Sequence, residues 1–315
     1  MSTNNNRLGK EVKPEWVSKE AEERKLVKLS SGKLQTLMTN SLSSLTALTL
    51  SYRSIETISD LSGLTSVRRL DLSYNFLTRL AGLVDMPCLS LLNISNNDIT
   101  GEGLEELRYL PELRTLNMGN NPRMKSIQSH IVKPVPKLAA LIANDCNLEK
   151  VSFIRFLLNL NTLILSKNCL KKFPMDVTLE ALTKLNLSSN QFSELPDLSK
   201  TCPHLLELKI SNNAIASVPS HITRNRKLKI LDISSNALQS WEDVRLLSEI
   251  PTLTNLLLKG NPLPAPPADV DKLFLREDVG GEKLVDEKQR RYRHYVLHLF
   301  QKLVGKEQKP KVCRL

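Results

Sequence analysis

Aromatic side chains are scarce in this 315-residue chain, at 4% of the sequence. That scarcity argues against an aromatic-lined cofactor pocket or a base-stacking platform. Glycine is thin too, eleven residues in all, and only Gly280-Gly281 stand side by side. Neither GxGxxG nor GxxxxGK[ST] occurs, so no phosphate-cradling loop is encoded. The five cysteines (88, 146, 169, 202 and 313) include no CxxC pair, and they fit neither a disulfide framework nor a zinc ribbon. His294 and His298 lie four apart, but HYVLH lacks the glutamate of a metalloprotease helix. No apolar run approaches the roughly 18 residues of a membrane span. The leading MSTNNNRLGK has no hydrophobic signal region either, so a soluble protein of the cytoplasm, the nucleus or both is expected. These absences predict no catalytic centre, metal, cofactor, small-molecule substrate or membrane partner.

What is present is enough for a large core: 41% of residues are apolar and 24% charged, which excludes disorder throughout. The net charge of +11 is uneven. Residues 1–44 carry eight Lys/Arg against five Glu, and residues 270–315 carry twelve against seven acids. The long middle, 45–269, holds 24 basic and 21 acidic groups and is nearly neutral.

That middle is periodic. The pattern L-x-x-L-x-L-x-x-N-x-L recurs ten times, starting at Leu45, Val67, Leu89, Leu113, Leu138, Leu160, Leu182, Leu205, Leu228 and Leu253. Spacings are 22 to 25 residues, and a period of that size overrides any domain count from length. The L-x-L alternation is a short strand with one buried and one exposed face. Asn follows at 75, 97, 121, 168, 190, 213, 236 and 261, where its amide is expected to bond backbone groups of neighbouring turns. Cys146 takes that place in the fifth repeat, and Arg53 breaks the rule in the first. A column of serines (51, 73, 95, 166, 188, 211, 234) has no His and acid beside it, so it reads as small residues that let the chain turn. NIS at Asn93 and NLS at Asn186 fit a glycosylation pattern but fall inside strands.

The pattern from Leu45 to Leu263 resembles the leucine-rich repeat family. The resemblance implies an α/β solenoid: a curved parallel sheet on the concave face, with short helices, turns and extended segments on the convex face. Ile55, Ile58, Leu61 and Leu64 give I-x-x-I-x-x-L-x-x-L, similar to the 22-residue subfamily that includes a nuclear regulatory subunit of protein phosphatase 1 and an axonemal dynein light chain. Phe173-Pro174, Leu195-Pro196 and Val218-Pro219 look like repeats of the Ras-suppressor type. The family also tolerates Cys at the Asn position, which makes Cys146 a buried ladder residue.

Four regions are expected: a basic N-terminal arm and cap (1–44), ten repeats (45–263), a C-terminal cap region (264–303) and a flexible basic tail (304–315). Pro14 opens PEWVSKEAEERKLVKL, which could form a covering helix. Tyr292, Val296, Leu299 and Leu303 have helical spacing, and Tyr292-Arg293 with Val296 resembles the cap motif of the 22-residue subfamily.

Ten strands about 4.8 Å apart make an inner arc of roughly 43 Å, a span suited to another protein. Candidate contacts on it are Arg69, Asp71, Tyr74, Leu91, Asn93, Ile142, Ile164, Lys184, Glu207, Lys209, Ile230, Asp232 and Leu257. Aliphatic residues occupy the middle and charges of both signs flank them, the usual make-up of an interface. The function expected is a non-enzymatic binding scaffold or regulatory subunit. The resembling families suggest a phosphatase, a small GTPase or a cytoskeletal or axonemal component as partner. The alternative is a component of a ribonucleoprotein or ribosome-assembly particle. It would contact RNA or an acidic partner through Lys288, Arg290, Arg291, Arg293, Lys306, Lys309, Lys311 and Arg314, a reading encouraged by a pI of 9.4.

Overall fold

The computed structural model describes residues 28–30, 32–34, 42–61, 63–84, 86–266 and 287–301. Two short strands near the start, β1 (Lys28–Ser30) and β3 (Thr57–Asp60), form a parallel pair of their own. The main sheet has ten parallel strands: β2 (Ala47–Thr49), β4 (Arg69–Asp71), β5 (Leu91–Asn93), β6 (Thr115–Asn117), β7 (Ala140–Ile142), β8 (Thr162–Ile164), β9 (Lys184–Asn186), β10 (Glu207–Lys209), β11 (Ile230–Asp232) and β12 (Asn255–Leu257). Each strand is centred on the fourth residue of its repeat, and each pairs only with the strand of the repeat before and after. The register has no stagger: Leu48, Leu70, Leu92, Leu116, Leu141, Leu163, Leu185, Leu208, Leu231 and Leu256 are aligned across the sheet. The leucines align because they are the inward residues of a period-two alternation, and a slip of one residue would turn every one of them to solvent.

Three residues per strand cannot hold a sheet by themselves. The ladder of asparagines supplies what the strands lack. Asn121, fully buried, donates from Nδ2 to the carbonyl of Met118 in its own turn (2.8 Å) and to that of Ile94 in the preceding repeat (3.1 Å). Its Oδ1 accepts from the Ile99 N–H at 2.9 Å. The same three-way pattern recurs at Asn75, Asn97, Asn168, Asn190, Asn213, Asn236 and Asn261. Cys146 fills its place in the column: the thiol donates to the Met118 carbonyl at 3.2 Å, and burial pushes its pKa up to about 11. Just before each ladder residue the backbone turns through the left-handed region. From Tyr52 to Ser235 these φ values lie between 50° and 57°, and Gly260 takes the place at 79° in the last repeat.

Behind the sheet lie the buried aliphatics of the convex segments. Ile55, Ile58, Leu61 and Leu64 are all buried, as are Leu77, Leu80, Leu83 and Met86 one repeat on. The convex layer then becomes helical, with 3-10 turns at Glu102–Tyr109 and Ser152–Phe156 around α1 (Ser129–Val132). The sixth repeat has no helical turn, and its convex stretch with Phe173-Pro174 has no regular structure. Helical turns resume with α2 (Leu198–Thr201), a 3-10 turn at Ser220–Arg224, and α3 (Trp241–Ser248), which Ser240 caps by accepting from the Glu242 N–H at 3.1 Å.

The two ends close differently. At the C-terminal end α4 (Glu287–Gln301) packs on α3, with Val296, Leu297 and Phe300 buried. Tyr292 packs against Trp241 with the rings tilted by 47° and 5.4 Å between centroids, and its hydroxyl lies 2.7 and 2.9 Å from the carbonyls of Leu263 and Pro264. Leu299 is partly buried against the core, while Leu303 lies outside the described residues. At the N-terminal end the helix read over Pro14 to Leu29 does not extend to its last residues. Lys28–Ser30 is a strand, with Leu29 fully buried beside Ile58, and residues 14–27 lie outside the described residues. The convex stretch of the first repeat is itself extended, so an extended partner can hydrogen-bond to it where a helix could not.

Candidate protein-interaction face

The face of the sheet opposite the core carries two residues from each strand. The structure places Arg69 and Asp71 on β4, Leu91 and Asn93 on β5, Ile142 on β7 and Ile164 on β8. Lys184 stands on β9, Glu207 and Lys209 on β10, Ile230 and Asp232 on β11, and Leu257 on β12. All are exposed or half-buried, while the leucine between each pair is buried. Ile142 and Ile164 are partners across the β7–β8 pairing, so the two isoleucines make one continuous apolar saddle. Ala140 and Thr162 widen it on the entry side.

The polar residues of this face divide into two kinds. Asp71 accepts at one carboxylate oxygen from the Ser73 N–H (2.9 Å), the Ser73 hydroxyl (2.7 Å) and Asn93 Nδ2 (3.1 Å). Asp232 does the same for Ser234, whose hydroxyl is 2.5 Å away. Asn93 accepts from Ser95, and Asn186 from the Ser188 N–H. The serine column is therefore more than small residues at a turn: most of its members bond the acidic or amide side chain two residues earlier, or a serine in the next repeat. Glu207 is ion-paired with Lys209 at 2.8 Å.

Where the strands leave the sheet, a second amide chain runs alongside. Asn144 donates to Asn120 at 3.3 Å, and Asn120 donates to Asn96 at 3.1 Å. Gly119 makes room for this, since a Cβ there would sit 2.3 Å from Asn144 Oδ1. Tyr74 lies on the same exit edge, stacked on Tyr52 at 4.2 Å between ring centroids, with Phe76 exposed next to the pair. Tyr52 and Phe76 extend an aromatic rim of which the sequence reading had named only Tyr74. The repeat spacing carries the signal, because Tyr52 and Tyr74 are 22 residues apart at the same position.

Of the basic residues read as RNA or acidic-partner contacts, Arg291 and Arg293 are half-buried in α4. The side chains of Lys288 and Arg290 and the whole of Lys306, Lys309, Lys311 and Arg314 lie outside the described residues. Among the described residues there is no group of His, Cys, Asp and Glu that could hold a metal ion. Among them, too, no helix is long and apolar enough to cross a membrane.

A family model described as leucine rich repeat matches residues 43–99 and 180–238. Those stretches carry leucine-rich repeats, and the ten-stranded parallel sheet has the fold of a leucine-rich repeat solenoid. Chaoptin of Drosophila melanogaster is 30% identical over 231 residues, covering 70% of this chain and 16% of that protein. Oligodendrocyte-myelin glycoprotein of Homo sapiens is 31% identical over 171 residues, covering 52% of this chain and 38% of that one. The chain thus spans well under half the length of these curated relatives. Among solved structures, the functional domain of InlJ from Listeria monocytogenes superposes with a TM-score of 0.56 at 21% identity, covering 71% of this chain and 46% of that one. That likeness shows the fold. The description of InlJ names a cysteine ladder, whereas here one cysteine, Cys146, stands in a column of asparagines. Repeat solenoids of this family are in general non-enzymatic surfaces for binding other proteins.

Proposed function

We propose that this chain is a protein-binding scaffold that holds its partner on the concave sheet, and that it acts as the regulatory or targeting subunit of an enzyme or a cytoskeletal assembly. One observation carries the reading: Ile142 and Ile164 lie adjacent on the solvent face of the sheet, where a solenoid without a partner has no use for paired isoleucines. The sheet behind them is rigid, held in register by the buried amides, so the saddle is presented without an ordering cost when a partner docks.

The test is affinity capture with quantitative mass spectrometry, comparing the full chain with Ile142→Glu/Ile164→Thr. Proteins retained by the first and lost by the second are the partners, and the thermal midpoint should stay within a few degrees because neither side chain is in the core. A retained set identical for both proteins refutes the reading.

A further inference from the structure

The two signs of charge on the concave face are not equally available to a partner. Each strand carboxylate is already engaged: Asp71 by Ser73 and Asn93, Asp232 by Ser234, and Glu207 by Lys209. Apart from Lys209, the cations are not. Arg69 and Lys184 on the face, and Arg68, Arg114 and Lys229 one residue before their strands, are exposed, and among the described residues none of these five has a carboxylate within ion-pair distance. Glu112, the acid nearest Arg114 in sequence, is taken by the Lys137 ammonium, whose hydrogen bond holds Glu112 below the usual carboxylate range. The exit edge adds one acid, Asp145, against Lys167 and Lys259. Hydrogen bonds from serine and asparagine leave Asp71 and Asp232 charged, but the five unpaired cations outnumber these two acids, so the face and its entry edge are net positive.

The cations are also unevenly spaced. Arg68, Arg69 and Arg114 lie on or beside β4 and β6, and Lys184 and Lys229 on β9 and beside β11. Between them the strands of the fifth and sixth repeats carry no charge: Ala140 and Ile142, then Thr162 and Ile164. At about 4.8 Å per strand, the two positive poles are separated by an uncharged saddle of roughly 10–15 Å. A nucleic-acid strand, with one charge on every nucleotide, would lay phosphates on those isoleucines with no cation on the two strands that carry them. A polypeptide can match the pattern, with apolar side chains on the saddle and carboxylates at both ends.

We infer that the partner of this face is an acidic polypeptide segment with an apolar centre, its carboxylates reaching Arg68, Arg69 and Arg114 at one pole and Lys184 and Lys229 at the other. This rests on the concave face being the binding surface. Opposite potentials across such a contact set the encounter rate and the partner choice, so the interaction should be salt-sensitive.

A random 16-residue peptide library displayed on phage, panned on the full chain, tests it. Enriched peptides should have aliphatic or aromatic centres flanked by Asp and Glu. A fluorescein-labelled winner should bind at least tenfold more weakly to Arg68→Glu/Arg69→Glu/Arg114→Glu by anisotropy, and unchanged to the convex control Lys133→Glu. Winners that need Ile142 and Ile164 but show no acidic excess overturn the charge inference and leave the binding face standing. Winners indifferent to Ile142→Glu/Ile164→Thr overturn both. Failure of any peptide to enrich, or tighter binding of a random 20-nucleotide RNA than of the best peptide, overturns the inference as well.

Discussion

A middle repeat and an end repeat have the same eleven-residue signature but different neighbours. In the middle, Leu141, Cys146, Leu163 and Leu165 are buried to 1% exposure or less. At the ends, Leu48 and Leu50 keep 8% and 7% exposure, and Leu253 and Leu263 keep 7% and 8%. The side chains are of the same kind; what differs is whether a turn lies on both sides. Burial in this fold is a property of the stack rather than of the repeat, which is why its ends need separate coverings. The C-terminal end is covered by a 15-residue helix whose own apolar face is buried. The N-terminal end has a three-residue strand and an arginine where the amide ladder would begin.

The comparison can be broken most severely at the helical cap. Val296→Asp places a carboxylate at a fully buried site and should cost more than about 3 kcal/mol, read as a lowered urea midpoint. A middle repeat should be nearly as sensitive at its ladder. Asn121→Ala leaves the Ile99 N–H without a partner inside the core and takes one of two side-chain donors from the Ile94 and Met118 carbonyls, for about 2 kcal/mol, whereas Asn261→Ala, half-buried at the end, should cost about 1. Equal losses at the two sites would mean that position in the stack does not matter.

Alkaline pH separates middle from end in another way. Burial raises the Cys146 thiol to about 11 and the Cys202 thiol to about 12, against 9.0 for an ordinary cysteine. The folded state keeps protons that the unfolded chain releases, so stability is intact below pH 9 and falls as pH rises toward 11–12. At pH 10 the loss should be about 1 kcal/mol per thiol, and it should vanish in Cys146→Ala/Cys202→Ala when urea midpoints at pH 8 and pH 10 are compared. The smallest effect is expected in the first repeat: Arg53→Asn offers the missing amide at an exposed turn and should stabilise by about 0.5 kcal/mol or less.

The sheet was legible in the sequence to the residue, because a strand with one buried face writes its register as a period of two and the stack repeats it ten times. Leu48 through Leu256 fall where the pattern puts them. The ladder was legible for a related reason, since an amide recurring in an apolar run has few other uses. The pairing of Leu29 with Ile58 was not legible, as it depends on which convex segment is left without a helical turn. Nor was the engagement of one oxygen of each concave aspartate by its serine. A carboxylate two residues before a hydroxyl looks free in a string of letters, and only the bend after the strand brings Ser73 and Ser234 back onto Asp71 and Asp232.

Each strand of the main sheet bonds only to the strands beside it, and among the described residues no contact ties one end of the arc to the other. Pulled from its termini, the molecule would not rupture as one unit. It would pay out from an exposed end, repeat by repeat, each step releasing some 22 residues or roughly 75 Å of slack. A ligand spanning several turns would act as a clasp across those steps, so its dissociation could be read in the force trace.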